Sequence, residues 1–504
     1  MKKTLIASLM LVALVLIFAG CAQVATTATS PEIVDVKDGE SYEMIAAPVV
    51  KNINGNQYQM YAYNNMIPGP TLRVTQGSRI TAEFTNNINS ETTIHWHGLR
   101  QDVKSDGVPD VSQEAVQPGE TFEYNLYFPD AGIYWYHPHV REDQQQDLGL
   151  AGAMIVQPRE VIYNQVNREE IIMLDDILIE RNQIVPFSEH ANFALMGRYG
   201  NVMLVNGKTD YSLQAAQGDV IRFYVLNAAN VRPFNLYIPG AKIKLVGSDL
   251  GLYEEEKYVD SVTIAPGERY IIEAYFDKEG EYNIMNINPM KAYTLGKVVV
   301  AGKTDNDYSM AFNALRDNGQ TIDVSAYQNK QPDYTLRLAV DTAMMMGGRM
   351  GMGGMQQHRM ADGSMMGGFD NTEPIEWEDT MSMMNRQATP DNTKWIIHDE
   401  KSGSENMDFA MTASIGDKVK IRIINDANSM HPMQHPMHLH GQRFVVLAID
   451  GVPVKNQVWK DTVLVPIGST VDVLVDVTNP GEWMFHCHIA EHLEAGMMSR
   501  FIVT

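Results

Sequence analysis

Four short stretches hold ten of the fourteen histidines: His95-Trp96-His97-Gly98, His137-Pro138-His139, His435-Pro436-Met437-His438-Leu439-His440-Gly441, and His486-Cys487-His488 with His492. A lone His-x-His in a sheet is ordinarily a hydrogen-bonded surface or core feature. Four such clusters, in matching places of two repeats, call instead for metal, because imidazole nitrogen suits copper, zinc and iron. One of the two cysteines in the chain, Cys487, lies between two of these histidines. Side chains alternate along a strand, so His486 and His488 share a face while Cys487 points the other way. That implies two metal sites joined by one backbone segment. Cys487 would bind inside its own domain with His435, His492 and the thioether of Met497. Two imidazoles, one thiolate and a weak axial methionine form the blue-copper set. The opposite face would gather the paired histidines of the first and last domains, enough for several further metals. Zinc competes, but a closed zinc site takes four ligands around one ion and leaves this surplus of imidazoles unused.

Strands must position these residues, and the chain repeats one strand pattern three times. VTQGSRITAEFTNN at 74–87, AAQGDVIRFYVLNAAN at 215–230 and ASIGDKVKIRIINDAN at 413–428 each carry a Gly turn, an apolar-polar alternation and then Asn. A second type follows each: QPGETFEYNLYFPDAGIYWYHPH at 117–139, APGERYIIEAYFDKEGEYNIMN at 265–286 and PIGSTVDVLVDVTNPGEWMFHCH at 466–488. Alternation of period two between Gly, Pro and Asn turns predicts half-buried strands, and several per unit predict an all-β chain of three sandwich or barrel domains. The boundaries fall at 41–158, 159–305 and 306–504, after an N-terminal linker at 22–40. The middle copy is an internal control. It has Ile284-Met285-Asn286-Ile287 where the outer copies have Tyr136-His137-Pro138-His139 and Phe485-His486-Cys487-His488, and Asn235-Leu236-Tyr237 where they have His95-Trp96-His97 and His438-Leu439-His440. The fold does not require the histidines, so their presence in the outer domains needs a chemical reason.

The first 21 residues read as an exported lipoprotein signal: a basic start, an apolar run slightly short for a bilayer span, and Phe18-Ala19-Gly20-Cys21. Cys21 is then the lipidated N-terminus and the membrane a partner through that lipid, which makes the protein periplasmic or cell-surface. No twin-arginine pair precedes the apolar run, so export unfolded and copper loading outside are expected. Cys487 is left as the only thiol, with no intramolecular disulfide open to it. A net charge of -23 and a pI near 5.0 argue against nucleic acid and against an anionic membrane surface as partners.

With these residues in hand, the chain resembles the multicopper oxidases, three-cupredoxin-domain enzymes that include laccases and bacterial cuprous oxidases. The motifs H-x-H-G, H-x-H, H-x-x-H-x-H-G and H-C-H-x3-H-x4-M occur in the family order. The resemblance implies Greek-key cupredoxin domains and four copper ions. Type 1 copper falls to His435, Cys487, His492 and Met497, and type 2 to His95 and His438. The type 3 pair falls to His97, His137 and His488 on one side and His139, His440 and His486 on the other. It further implies that single electrons from a reducing substrate pass through Cys487 to the cluster, where dioxygen becomes water. Water formation consumes protons, and Asp106, in the Ser-Asp-Gly turn after His95-Trp96-His97, matches the family position of an acid near the cluster. Leu493 stands directly after the last type 1 histidine, where such relatives often have Glu, so the motif gives no proton role to Glu491 or Glu494.

The stretch from Met344 to Phe369, with Met-Ser-Met-Met at 381–384, is the low-complexity region, a methionine-rich insertion at about 344–384. Its glycines disfavour regular structure. Thioethers select Cu(I), so Met344, Met345 and Met346 are candidate donor-binding residues, with Met430, His431 and Met433 just before His435. Cuprous oxidases resemble this chain in both features, although His431 replaces their usual acid. The expected activity is therefore oxidation of Cu(I) by dioxygen, in copper tolerance. The alternatives are a laccase using phenols or other small organic reductants, and a copper-binding protein without turnover.

Overall fold

The computed structural model describes residues 26–318, 322–343 and 374–504, with the two-residue strands His358–Arg359 and Met365–Met366. Residues 1–21 and Met344, Met345 and Met346 lie outside the described residues. The chain forms three consecutive two-sheet β domains with a few short helices.

One sheet of each domain follows a shared plan. In domain three the order is Ala410–Ala413, Met498–Val503, Gly481–Cys487, His435–Leu439, Thr462–Val465. Domain two repeats it with Tyr211–Gln217, Ala292–Lys303, Gly280–Ile287, Phe234–Tyr237, Ser261–Ile264. Domain one runs Ile33–Asp35, Thr71–Thr75, Gly152–Gln157, Gly132–His137, His95–His97. The histidine stretches thus lie on neighbouring antiparallel strands, with His95 opposite His137, Met437 opposite Cys487 and His438 opposite His486.

The alternation read from sequence is the alternation of burial. In Arg79–Asn86, Ile80, Ala82 and Phe84 point into the core of domain one while Arg79 and Glu83 are exposed, and burying an Ile or Phe side chain contributes roughly 1.5–3 kcal/mol. Val220–Asn227 is buried throughout instead, because Tyr224 and Leu226 leave the domain-two core to pack on Ile133, Trp135 and Ile155 of domain one. Ala194, Leu195, Met196 and Tyr199 of domain two likewise join the core of domain three.

Two boundaries differ from the sequence reading. The segment expected as a linker, 22–40, contributes strands Thr26–Thr27 and Ile33–Asp35, each paired in parallel with a domain-one strand. Edge pairing of this kind is made by main-chain groups and leaves little side-chain pattern to read. Residues 306–318, allotted to domain three, pack on domain two: Phe312 lies against Tyr275, and Arg316 bonds the buried Glu256.

Candidate metal centre

The strand Gly481–Cys487 and the helix Ala490–Glu494 that follows it deliver Cys487 and His492 to one point, and His435 arrives from the neighbouring strand. Cys487 Sγ lies 3.5 Å from His435 Nδ1 and 3.8 Å from His492 Nδ1, all three buried. Met497 is buried beside them, its backbone tied to both Cys487 and His492. Burial pushes the Cys487 thiol well up and the His435 imidazole down to about 3. Neutral imidazoles facing a thiol that burial keeps protonated form a donor set that a cation would complete, by making the thiolate. Trp395 closes this site. Its ring stacks on His492 at 3.9 Å between centroids, meets His435 edge-on at 4.9 Å, and donates from its indole N–H to Ala194 O.

On the other face eight histidines enclose one cavity between domains one and three. Most rings fix one nitrogen outward. Nδ1 of His95 donates to Asp106 O at 2.7 Å, His137 to Pro138 O at 2.9 Å, His438 to Asp461 O at 2.9 Å and His486 to Cys487 O at 2.9 Å. His440 Nδ1 donates to Asp106 Oδ2 at 2.9 Å. His97 is turned the other way, its Nε2 lying 3.0 Å from Asp461 Oδ1 and 3.1 Å from Thr462 Oγ1. The inward nitrogens have no hydrogen-bond partner: Nε2 of His95, His137, His139, His438 and His488, and Nδ1 of His97. With both Nδ1 protons committed outward, the Nε2 lone pairs of His440 and His486 face each other at 2.9 Å. Buried orphan acceptors and opposed lone pairs are each costly in a neutral cavity, and cations resolve both. The donor set therefore fits metal. His139, His440 and His486 have ligand atoms within 4.8 Å of one another, as do His95, His438 and His440. His97 and His137 have ring centroids 5.0 and 5.2 Å from that of His488. Burial, first of all, holds His97, His137, His139, His440, His486 and His488 well below the ordinary imidazole value.

Four carboxylates near the cavity carried no motif signal. Asp461 faces His97 and is itself held by Arg269 of domain two at 2.6 Å. Glu142, three residues past His139, has both oxygens buried without a hydrogen bond, 3.5 Å from His137 Nδ1 and 3.9 Å from His488 Nδ1. Burial pushes it well up, with Glu494 and Glu491 adding repulsion. Glu491 and Glu494, given no role from sequence, are buried here and pushed up to about 8 and about 7 respectively, by desolvation first and then by Asp143. Glu494 also accepts from the Glu142 backbone N–H at 3.2 Å. Asp106 lies where sequence expected an acid, bonded to His95 and His440.

Of the residues expected to meet the donor, Met430 is exposed, whereas His431 and Met433 are fully buried, Met433 in the domain-three core. The described ends of the methionine-rich segment lie beside the Cys487 site. Ala343 N bonds Asn392 O, three residues from Trp395, and Glu376 N donates to the side chain of Gln434, next to His435.

Three family models, each described as multicopper oxidase, match residues 46–161, 135–330 and 375–504. A multicopper oxidase of Staphylococcus aureus is 25% identical over 94% of this chain and 92% of its own length. Copper resistance protein A of Escherichia coli is 24% identical over 91% and 92%. Among solved structures, a multi-copper oxidase of Pseudomonas thermotolerans superposes with a TM-score of 0.68 at 26% identity, covering 94% of this chain and 100% of its own.

Proposed function

The chain belongs to the multicopper oxidase family, oxidoreductases that pass electrons from a reducing substrate to dioxygen, and from that premise we propose a cuprous oxidase with four copper ions, acting in copper tolerance. Copper held by Cys487, His435, His492 and Met497 would take single electrons, and copper held by the eight cavity histidines would pass four of them to dioxygen. The chain's own residues do the rest. The His486 ring donates to the carbonyl of Cys487, so the two sites communicate through one residue's main chain. Asp106 fixes His95 and His440 together, aiming both free nitrogens into the cavity. Glu142 sets an acid beside His137 and His488, where protons for water can be held.

The observation that carries Cu(I) as substrate is the cover over the Cys487 site. Among the described residues His492 is wholly buried and stacked on Trp395, so it presents no exposed edge for a phenol to touch. The described residues flanking the methionine-rich stretch are tied to Asn392, three residues before Trp395, and to Gln434, which precedes His435. A cuprous ion held by thioethers is small and needs no such edge. The name of the Escherichia coli relative favours the same role. Replacing 344–373 by a short Gly-Ser linker tests it. kcat/KM for Cu(I) is expected to fall by about 100-fold or more, roughly 3 kcal/mol on the barrier, while phenol oxidation persists or rises. Unchanged cuprous kinetics would return the laccase reading. The proposal includes export as a lipoprotein anchored at Cys21. Mass spectrometry of the mature N-terminus, with Cys21→Ala as control, decides that part.

A further inference from the structure

Domain two carries no histidine of the cavity, yet it reaches the cavity wall. A Cβ on its Gly267 would lie 2.9 Å from the His488 ring. Two residues on, Arg269 is fully buried, and its guanidinium grips both oxygens of Asp461 at 2.6 Å each. The same side chain donates from Nε to Ile133 O of domain one at 2.9 Å and from Nη1 to Gly267 O at 3.1 Å. Its backbone N–H donates to Asp249 Oδ1, and Asp249 Oδ2 in turn accepts from the backbone of Asp461. Three domains therefore meet on one planar cation. Beyond it, Asp461 Oδ1 fixes His97 Nε2 and Asp461 O fixes His438 Nδ1, and the two rings stack with centroids 3.7 Å apart.

We infer that Arg269 is a positioning residue for the metal cluster: by clamping Asp461 it makes the ligand-free middle domain set the orientation of His97 and His438. The chemistry of the pair carries the step. A buried ion pair adds little net stability, because desolvating both charges offsets their attraction, so stability alone does not explain a fully buried fork. What a bidentate guanidinium does supply is direction, since it fixes the carboxylate plane through two parallel hydrogen bonds. With the plane fixed, Oδ1 holds His97 Nε2 and leaves Nδ1 as the only nitrogen that ring can offer a metal. Hydrogen-bonded partners behind metal ligands commonly alter metal affinity by about 10- to 100-fold. Lysine at 269 would keep the charge and lose the fork.

This rests on the cavity being the copper cluster of the proposed function, and the experiment separates the two. Wild type, Arg269→Lys, Arg269→Met and Asp461→Asn are loaded with copper and compared by copper analysis, by EPR of the cupric signal that is not blue, and by the visible band of the Cys487 site. Folded Arg269→Lys is expected to keep the blue band, to shift the non-blue EPR hyperfine splitting, and to bind cavity copper about 10- to 100-fold more weakly. Asp461→Asn should reproduce that signature, and Arg269→Lys added to it should change nothing further. Wild-type copper content with an unshifted EPR signal in Arg269→Lys would overturn the inference, as would loss of the blue band in step with the cavity copper. If Arg269→Met fails to fold, Arg269→Lys decides on the same outcomes. A wild type that takes up copper at the Cys487 site alone would overturn the cluster reading itself, and this inference with it.

Discussion

In domain three, the strands His435–Leu439 and Gly481–Cys487 are registered so that His438 faces His486; in domain two the corresponding strands, Phe234–Tyr237 and Gly280–Ile287, set Leu236 opposite Asn286. The sheet order is the same, and the contents differ. The core-facing positions match, Phe234, Leu236 and Ile284 in domain two and Met437, Leu439 and Phe485 in domain three, but on the opposite face domain two has Asn235, Tyr237, Met285 and Ile287 where domain three has His438, His440, His486 and His488. The amides of domain two bond locally, Asn286 Oδ1 accepting from Asn235 N and Asn235 Nδ2 donating to Ile287 O. The sandwich therefore tolerates either filling. A buried polar atom without a partner costs on the order of 1–3 kcal/mol; domain two leaves Asn235 Oδ1 and Asn286 Nδ2 so, scattered among apolar neighbours, whereas the orphan imidazole nitrogens of the outer domains converge where a metal could satisfy them together.

The contrast can be broken most severely at Cys487. Cys487→Ser should abolish the blue absorption and lower oxygen consumption by about three orders of magnitude, roughly 4 kcal/mol on the barrier, while copper in the histidine cavity persists. Unaltered turnover would mean that electrons bypass this residue. Copper removal comes next. Each tightly bound ion present at a thousandfold excess over its Kd stabilises by about 4 kcal/mol. Chelation should therefore lower the unfolding midpoint, and hydrogen exchange should rise first in the histidine strands of domains one and three. Equal loosening of Phe234–Tyr237 would erase the distinction between the domains.

Acid sharpens the comparison further. Burial holds His97, His137, His139, His440, His486 and His488 neutral in the folded state, below their unfolded value near 6.5. Below that pH the unfolded chain binds protons that the folded chain refuses, so stability falls as pH drops and is unaffected by these groups above it. Each such imidazole adds up to about 1.4 kcal/mol per pH unit. Metal-free protein is expected to open between domains one and three near pH 5, read by limited proteolysis, with domain two, which has no buried histidine, cut last. The smallest effect belongs to domain two itself. Asn235→Ala should cost about 1 kcal/mol in denaturant titration through the lost bond to Ile287 and leave copper content unchanged, whereas His438→Ala should remove the non-blue cupric EPR signal.

Much of this was legible in the chain because it depends on short spacings. Period-two alternation forces His486 and His488 to one face and Cys487 to the other, and a threefold repeat whose middle copy lacks the paired histidines separates fold from chemistry. Edge strands such as Thr26–Thr27 were not legible, since main-chain pairing imposes no side-chain pattern. Nor were Glu142, Trp395, Asp461 and Arg269, whose types are common and whose neighbours have no special spacing.

The sequence by itself determined which residues could bind metal and on which side of a strand each would stand, because both follow from covalent order and a two-residue period. Only the tertiary structure decided which nitrogen of each ring is free, since that depends on the acceptor waiting behind it. It also decided that an indole lies over His492 and that a domain without ligands holds the carboxylate behind His97. The contacts of that carboxylate join residues nearly two hundred apart or more, Asp461 with Arg269 and His97 with Asp461. They exist only once three separately folded cores have packed against one another.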